Sequence, residues 1–163
     1  MKRTLPVAQA VEAAVILFEL NAKPEGVFAL AQKAGFPCTT KEEKERLLLE
    51  WRAWVHSAVL YGLMVQAPNI VVVEYLRVTQ DLLKKLGYTE EQGRIFVDGA
   101  FKDYTTPLVQ TQTKECPAVF FRRLVGKELV DVSPQSAALV SSVMAMILSA
   151  ILDKLEQYEF AVD

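Results

Sequence analysis

Two stretches of 21 residues contain no Asp, Glu, Lys or Arg, and they constrain the architecture more than anything else in the chain. Residues 53–73 lie between Arg52 and Glu74, and residues 132–152 lie between Asp131 and Asp153. Runs of this length approach the ~20 apolar residues that span a bilayer, so the first choice is between lipid and protein as their surroundings. The first run is broken by Pro68-Asn69 and contains His56 and Gln66, which makes it two helix ends meeting at a turn. The second opens with Ser133 and Pro134, an N-cap followed by proline at the first helical position. Its apolar part, residues 137–152, is 16 residues long and is interrupted by Ser141, Ser142 and Ser149. Acidic as well as basic residues flank it, and Tyr158 is its only interfacial aromatic residue.

Within that run the small residues Ala138, Ser142, Ala145 and Ser149 form one stripe, opposite bulky Val140, Val143, Met144, Ile147, Leu148 and Ile151. A helix apolar on all sides is normally buried on all sides, and serines there can bond to carbonyls one turn earlier. The expectation is a soluble bundle with this apolar C-terminal helix at its centre and no membrane contact. The stripe of Ala138, Ser142, Ala145 and Ser149 is also the candidate interface of a symmetric dimer.

Chain length bounds the rest. A chain of 163 residues fits a single helical domain over 1–163 and can bury roughly 70% of its unfolded surface. Hydrophobic residues make up 52%, slightly above the ~45–50% of soluble domains, which suits a large core, a subunit interface or both. A net charge of -2 gives no electrostatic footprint for nucleic acid, and Lys84-Lys85 and Arg122-Arg123 read as solvated helix faces. Two cysteines, Cys38 and Cys116, are too few for a disulfide framework, and one histidine without a Cys-x-x-Cys pair leaves no metal template. No metal and no cofactor are expected. Met1-Lys2-Arg3 starts like a signal peptide, but the apolar stretch after Glu12 runs only from Ala13 to Phe18, so a cytoplasmic protein is expected.

Helix punctuation is legible along the whole chain. Lys33-Ala34-Gly35-Phe36 and Lys85-Leu86-Gly87-Tyr88 read as helix C-termini closed by a left-handed glycine. Each is followed by a capping box, at Thr40 to Glu43 and at Thr89 to Gln92. Between these signals the periodicity predicts helices over 7–20, 24–34, 41–66, 70–86, 89–105, 117–125 and 133–160. The fifth runs through Ile95, Phe96, Ala100, Phe101 and Tyr104, and Asn69 is placed to cap the fourth. Residues 108–116 fit either an extended segment or a kinked helix continuing past Pro107.

Four residues on the long 41–66 helix are candidates for ligand contact: Trp51, Trp54, His56 and Tyr61. Trp51, Trp54 and Tyr61 share a side, with His56 pointing elsewhere. They define an aromatic-lined pocket with His56 as polar handle or base, or else an aromatic core stripe with a hydrogen-bonded histidine. The second reading is favoured, because the positions three and four residues from His56 hold Ala53, Arg52, Val59 and Leu60 and no carboxylate. Glu12 and Glu19 read as solvent-facing, and no Glu-x-x-His pair exists for a dimetal bundle.

Phe28-Ala29-Leu30-Ala31-Gln32-Lys33-Ala34-Gly35-Phe36 resembles the second helix and turn of tetracycline-repressor-type DNA-binding domains, over fewer than ten residues. The resemblance implies a recognition helix with an apolar anchor about six residues after Gly35. This chain has Lys41 there, in Lys-Glu-Glu-Lys-Glu, whose acidic side chains would repel phosphates, so no nucleic acid is expected.

The sequence therefore predicts an all-α, single-domain bundle of about six helices without a catalytic constellation. Its expected role is a non-enzymatic interaction or assembly module, partnered by itself or by another protein. The alternative is a bundle that binds a small apolar or aromatic ligand between Trp51, Trp54, Tyr61 and the last helix.

Overall fold

The computed structural model describes residues 2–161, apart from the side chains of Ala100, Phe101 and Thr113. The contributions expected of Ala100 and Phe101 to the fifth helix's apolar face thus lie outside the described residues. Seven helices of ten residues or more form an all-α bundle: α1 (Val7–Asn21), α2 (Pro24–Ala34), α3 (Lys41–Gln66), α4 (Asn69–Lys85), α5 (Glu90–Ala100), α7 (Cys116–Val125) and α8 (Pro134–Glu156). The four-residue α6 (Thr106–Val109) lies between α5 and α7.

The predicted caps are present. Thr40 Oγ1 accepts from the Glu43 amide at 3.1 Å while Glu43 Oε1 accepts from the Thr40 amide, and Thr89 and Gln92 repeat the exchange. At Gly87, φ is +94°, and the Tyr88 amide reaches back to the Leu83 carbonyl, closing α4 in a Schellman turn. The Ser133 hydroxyl accepts from the Ser136 amide and caps α8. Asn69 does not cap α4; it is the first helical residue, and Pro68 occupies the cap position.

The central helix is α3, not α8. All eight positions from Ala53 to Leu60 are buried, so two turns of α3 face protein on every side, and α1, α2, α4, α5, α7 and α8 all pack on it. Here the back-bonding serine is Ser57, whose Oγ donates to the Ala53 carbonyl at 3.0 Å. By contrast α8 is peripheral. Only 17% of its most apolar 18-residue window is buried, and Val140, Met144, Ile151 and Leu155 are its fully buried residues. Its lack of charge reflects one face packed on α3, α2 and α7 and another left open. The axes of α3 and α8 come together at Gly62, where an added methyl would sit 2.9 Å from Leu155 Cδ1.

Past α5 the helix runs through Pro107 as the kinked alternative has it, but only to Val109, and residues 110–112 are turn and irregular chain, neither helix nor strand. A π-helical turn (Phe101–Thr105) leads into α6, and a 3-10 turn (Thr113–Glu115) precedes α7. Pro107 has no amide proton to give to the carbonyl four residues back, and its ring crowds that carbonyl, so the helix widens before it. At the C-terminus α8 stops at Glu156, short of the expected 160. Tyr158–Phe160 forms strand β2, parallel to β1 (Arg3–Leu5), with Arg3 opposite Tyr158 and Leu5 opposite Phe160.

Candidate functional site

A groove of about 710 Å³ runs along one side of α8. Trp54 and Tyr61, two turns apart on α3, form part of its wall, with Leu108 of α6 and Cys116 and Pro117 at the start of α7. Ser142, Ala145 and Ser149 contribute the α8 lip together with Met144 and Leu148. Because these α8 positions are small, the helix does not fill the space beside α3. Two separate expectations, the aromatic pocket and the small-residue stripe, therefore meet in one place.

The other candidates lie elsewhere. Trp51 is beneath the groove in the core: its indole donates to the Asn21 carbonyl at 3.0 Å, and its ring packs on Trp54 and Phe120 at 5.3 and 5.6 Å. Ala138 is exposed on the outer face of α8 and does not line the groove. His56 is buried among other aromatic residues, stacked on Tyr75 at 5.3 Å and edge-on to Phe18 at 6.5 Å. Its Nδ1 is 3.3 Å from the Tyr75 hydroxyl. Burial pushes its pKa down to about 4, so it is a neutral core histidine, as the hydrogen-bonded reading held.

In the groove wall the Trp54 indole N–H is fully buried, finds no oxygen or nitrogen acceptor among the described residues, and faces the soft sulfur of Cys116. Burial pushes the Cys116 thiol up to about 11, with the Trp54 indole pulling weakly the other way. Both cysteines are free thiols. Among the described residues no group of three His, Cys, Asp or Glu side chains is placed to hold a metal ion.

One polar constellation was not anticipated. Glu50, on the inward side of α3, accepts from Arg123 Nε of α7 and from the Tyr104 hydroxyl of the π-helical turn, each at 2.5 Å. Arg123 also binds Asp103 through Nη1. Arg123 is thus half-buried and doubly paired rather than a solvated partner of Arg122, which remains exposed against Glu128 at 3.1 Å. Gly99 makes room for it: a methyl there would lie 3.2 Å from the guanidinium. The available signal was Glu50 in the Leu47, Trp51, Trp54 stripe, a charge on an otherwise apolar face. Burial first, and then the Glu50 carboxylate, hold the Tyr104 phenol well above its ordinary pKa. This cluster locks α3, α7 and the π-helical turn together.

Comparison with known protein families, curated proteins and solved structures returned no significant match. The fold and the groove define this chain as an all-α bundle in which α8 leaves an uncharged face open.

Proposed function

We propose that this chain is a non-enzymatic assembly module that pairs with a second copy of itself through the outward face of α8. The observation that carries this reading is the combination of an uncharged helix with an unpacked side. Ala138, Ser142, Ala145, Met146, Ser149 and Ala150 are exposed, Met146 by 70%, and no charged residue lies between Asp131 and Asp153. The small residues follow a 4-3-4 spacing, the seam of two closely crossing helices. That spacing reads the same from either end, so in an antiparallel two-fold pair each small residue would lie opposite another small residue.

Surface area supports the same reading. The chain exposes 9238 Å², against roughly 8,100 Å² for a compact monomer of this mass. The excess, about 1,100 Å², is more than one partner contributes to a standard interface, about 800 Å².

By length and composition α8 is also the one helix among the described residues that could cross a membrane. A protein partner is favoured over lipid because insertion would strip Val140, Met144, Ile151 and Leu155 from their buried contacts, each 3% exposed or less. Asp131 precedes the helix, and Asp153 and Glu156 stand in its last turn with a single Lys154, which is no basic cluster. The two free thiols suit a reducing cytoplasmic setting.

Sedimentation velocity across a concentration series tests this. Self-association that is abolished by Ala145→Lys, with the thermal midpoint of the monomer unchanged, is the expected result. A strictly monomeric protein at its highest soluble concentration would overturn the proposal.

A further inference from the structure

We infer that the groove between α8 and the Trp54–Tyr61 wall binds a small amphipathic anion, a monocarboxylate with an apolar body. This goes beyond the assembly reading and is argued from other observations, although Ser142, Ala145 and Ser149 serve both surfaces and a ligand and a second copy would compete there.

Size sets the class of ligand. About 710 Å³ lies within the roughly 300–1,000 Å³ of small-molecule sites and is too little for a folded partner. The wall is apolar along its length, with Trp54, Leu108, Pro117, Met144, Leu148 and Leu152. Met144 adds an unbranched, polarisable side chain that adapts to irregular occupants. Such a surface rewards an aliphatic or aromatic body by the area it removes from water.

Charge then sets the head group. Among the 13 lining residues Lys114 is the only ionic side chain; the carboxylate of Glu115, next in the chain, acts on Cys116 in the same wall but does not line the groove. Lys114 makes no ion pair among the described residues; the ion pairs there involve Lys41, Arg77, Arg122 and Arg123. The hydroxyls of Tyr61, Ser141, Ser142 and Ser149 also line the groove, and within the described residues none of them donates to a protein acceptor. The groove therefore presents one cation and several uncommitted donors along an apolar wall. A carboxylate satisfies both, a neutral alcohol only the donors, and an ammonium group would be repelled by Lys114.

Three probes of equal chain length separate these cases: decanoate, decanol and decylammonium, each titrated below its micellar range by calorimetry and by Trp fluorescence. Decanoate should bind about fivefold more tightly than decanol, the scale of one partly exposed ion pair. Decylammonium should bind most weakly. Lys114→Gln should erase the preference for decanoate and leave decanol unchanged, while Leu148→Trp should narrow the groove and weaken both. Equal affinity for decanoate and decanol, a preference that survives Lys114→Gln, or no binding of any probe would overturn the assignment. Sedimentation on the same samples keeps the two readings apart: a monomer that binds decanoate sinks the assembly proposal alone.

Discussion

Arg123 reaches Glu50 across 73 positions of sequence, with Nε 2.5 Å from the carboxylate oxygen that also accepts from Tyr104. Both side chains leave most of their hydration behind, Glu50 being 10% and Arg123 28% exposed. The worth of the contact therefore lies in its completeness. Removing one partner leaves the other charge without compensation, which costs about 3 kcal/mol for a buried pair, whereas removing both at once is far less damaging. Urea unfolding of Glu50→Leu, Arg123→Met and the double variant should give a double loss well below the sum of the singles. Strict additivity would show that the two groups are not coupled.

His56 makes stability depend on pH in a defined window. The unfolded imidazole takes up its proton near 6.5 and the folded one only near 4, so the unfolded state binds more protons between those values. Its contribution is complete above about pH 6.5, is lost as pH falls, and levels off below about pH 4. A difference of this size corresponds to roughly 3 kcal/mol. His56→Gln keeps a polar neighbour for Tyr75 but does not titrate, so its stability should fall less steeply over that interval. Parallel pH profiles for the two proteins would place the effect elsewhere.

At the α3–α8 crossing, Gly62→Val should cost about 1–3 kcal/mol, because Ile151 Cγ2 at 3.1 Å and Leu155 Cδ1 at 2.9 Å leave no room for branching at Cβ. Gly62→Ala should cost less, since the end of Leu155 can turn aside and alanine favours the helix by about 1 kcal/mol. Thermal melts followed by circular dichroism rank the two. A more stable Gly62→Val protein would mean that the crossing is looser than described.

The thiols should report on burial. Cys116 is 2% exposed and held in the thiol form, whereas Cys38 is only half-buried. A thiol-reactive disulfide reagent should modify one cysteine per native chain quickly, and Cys38→Ser should remove that phase. The second should react only as the protein opens. Two equally fast thiols would contradict the packing at the start of α7.

Local signals carried most of the fold. Thr40, Thr89, Ser133, Gly35 and Gly87 each act within a few residues, and each bounds the helix it was expected to bound. The order of layers was not legible in the same way. Periodicity describes which sides of a helix are apolar, and residues 53–60 and 137–152 look alike by that measure although one segment is enclosed and the other open. Only the partners available to each helix separate them. Glu50 illustrates the remaining gap: its partners lie 54 and 73 residues away, so no local pattern joined them. The groove was half visible, its two walls recognised as separate stripes on α3 and α8.

The β1–β2 ribbon has a consequence for how the molecule comes into being. Its register joins Arg3 to Tyr158, so β1 is synthesised long before β2 and has no sheet partner until α8 has been made. Until then its backbone donors and acceptors stay with water, and α1 lacks the tether that later holds its leading end. A nascent chain arrested within α8 would therefore carry β1 unpaired, accessible to proteases and chaperones, whatever the maturity of the helices between.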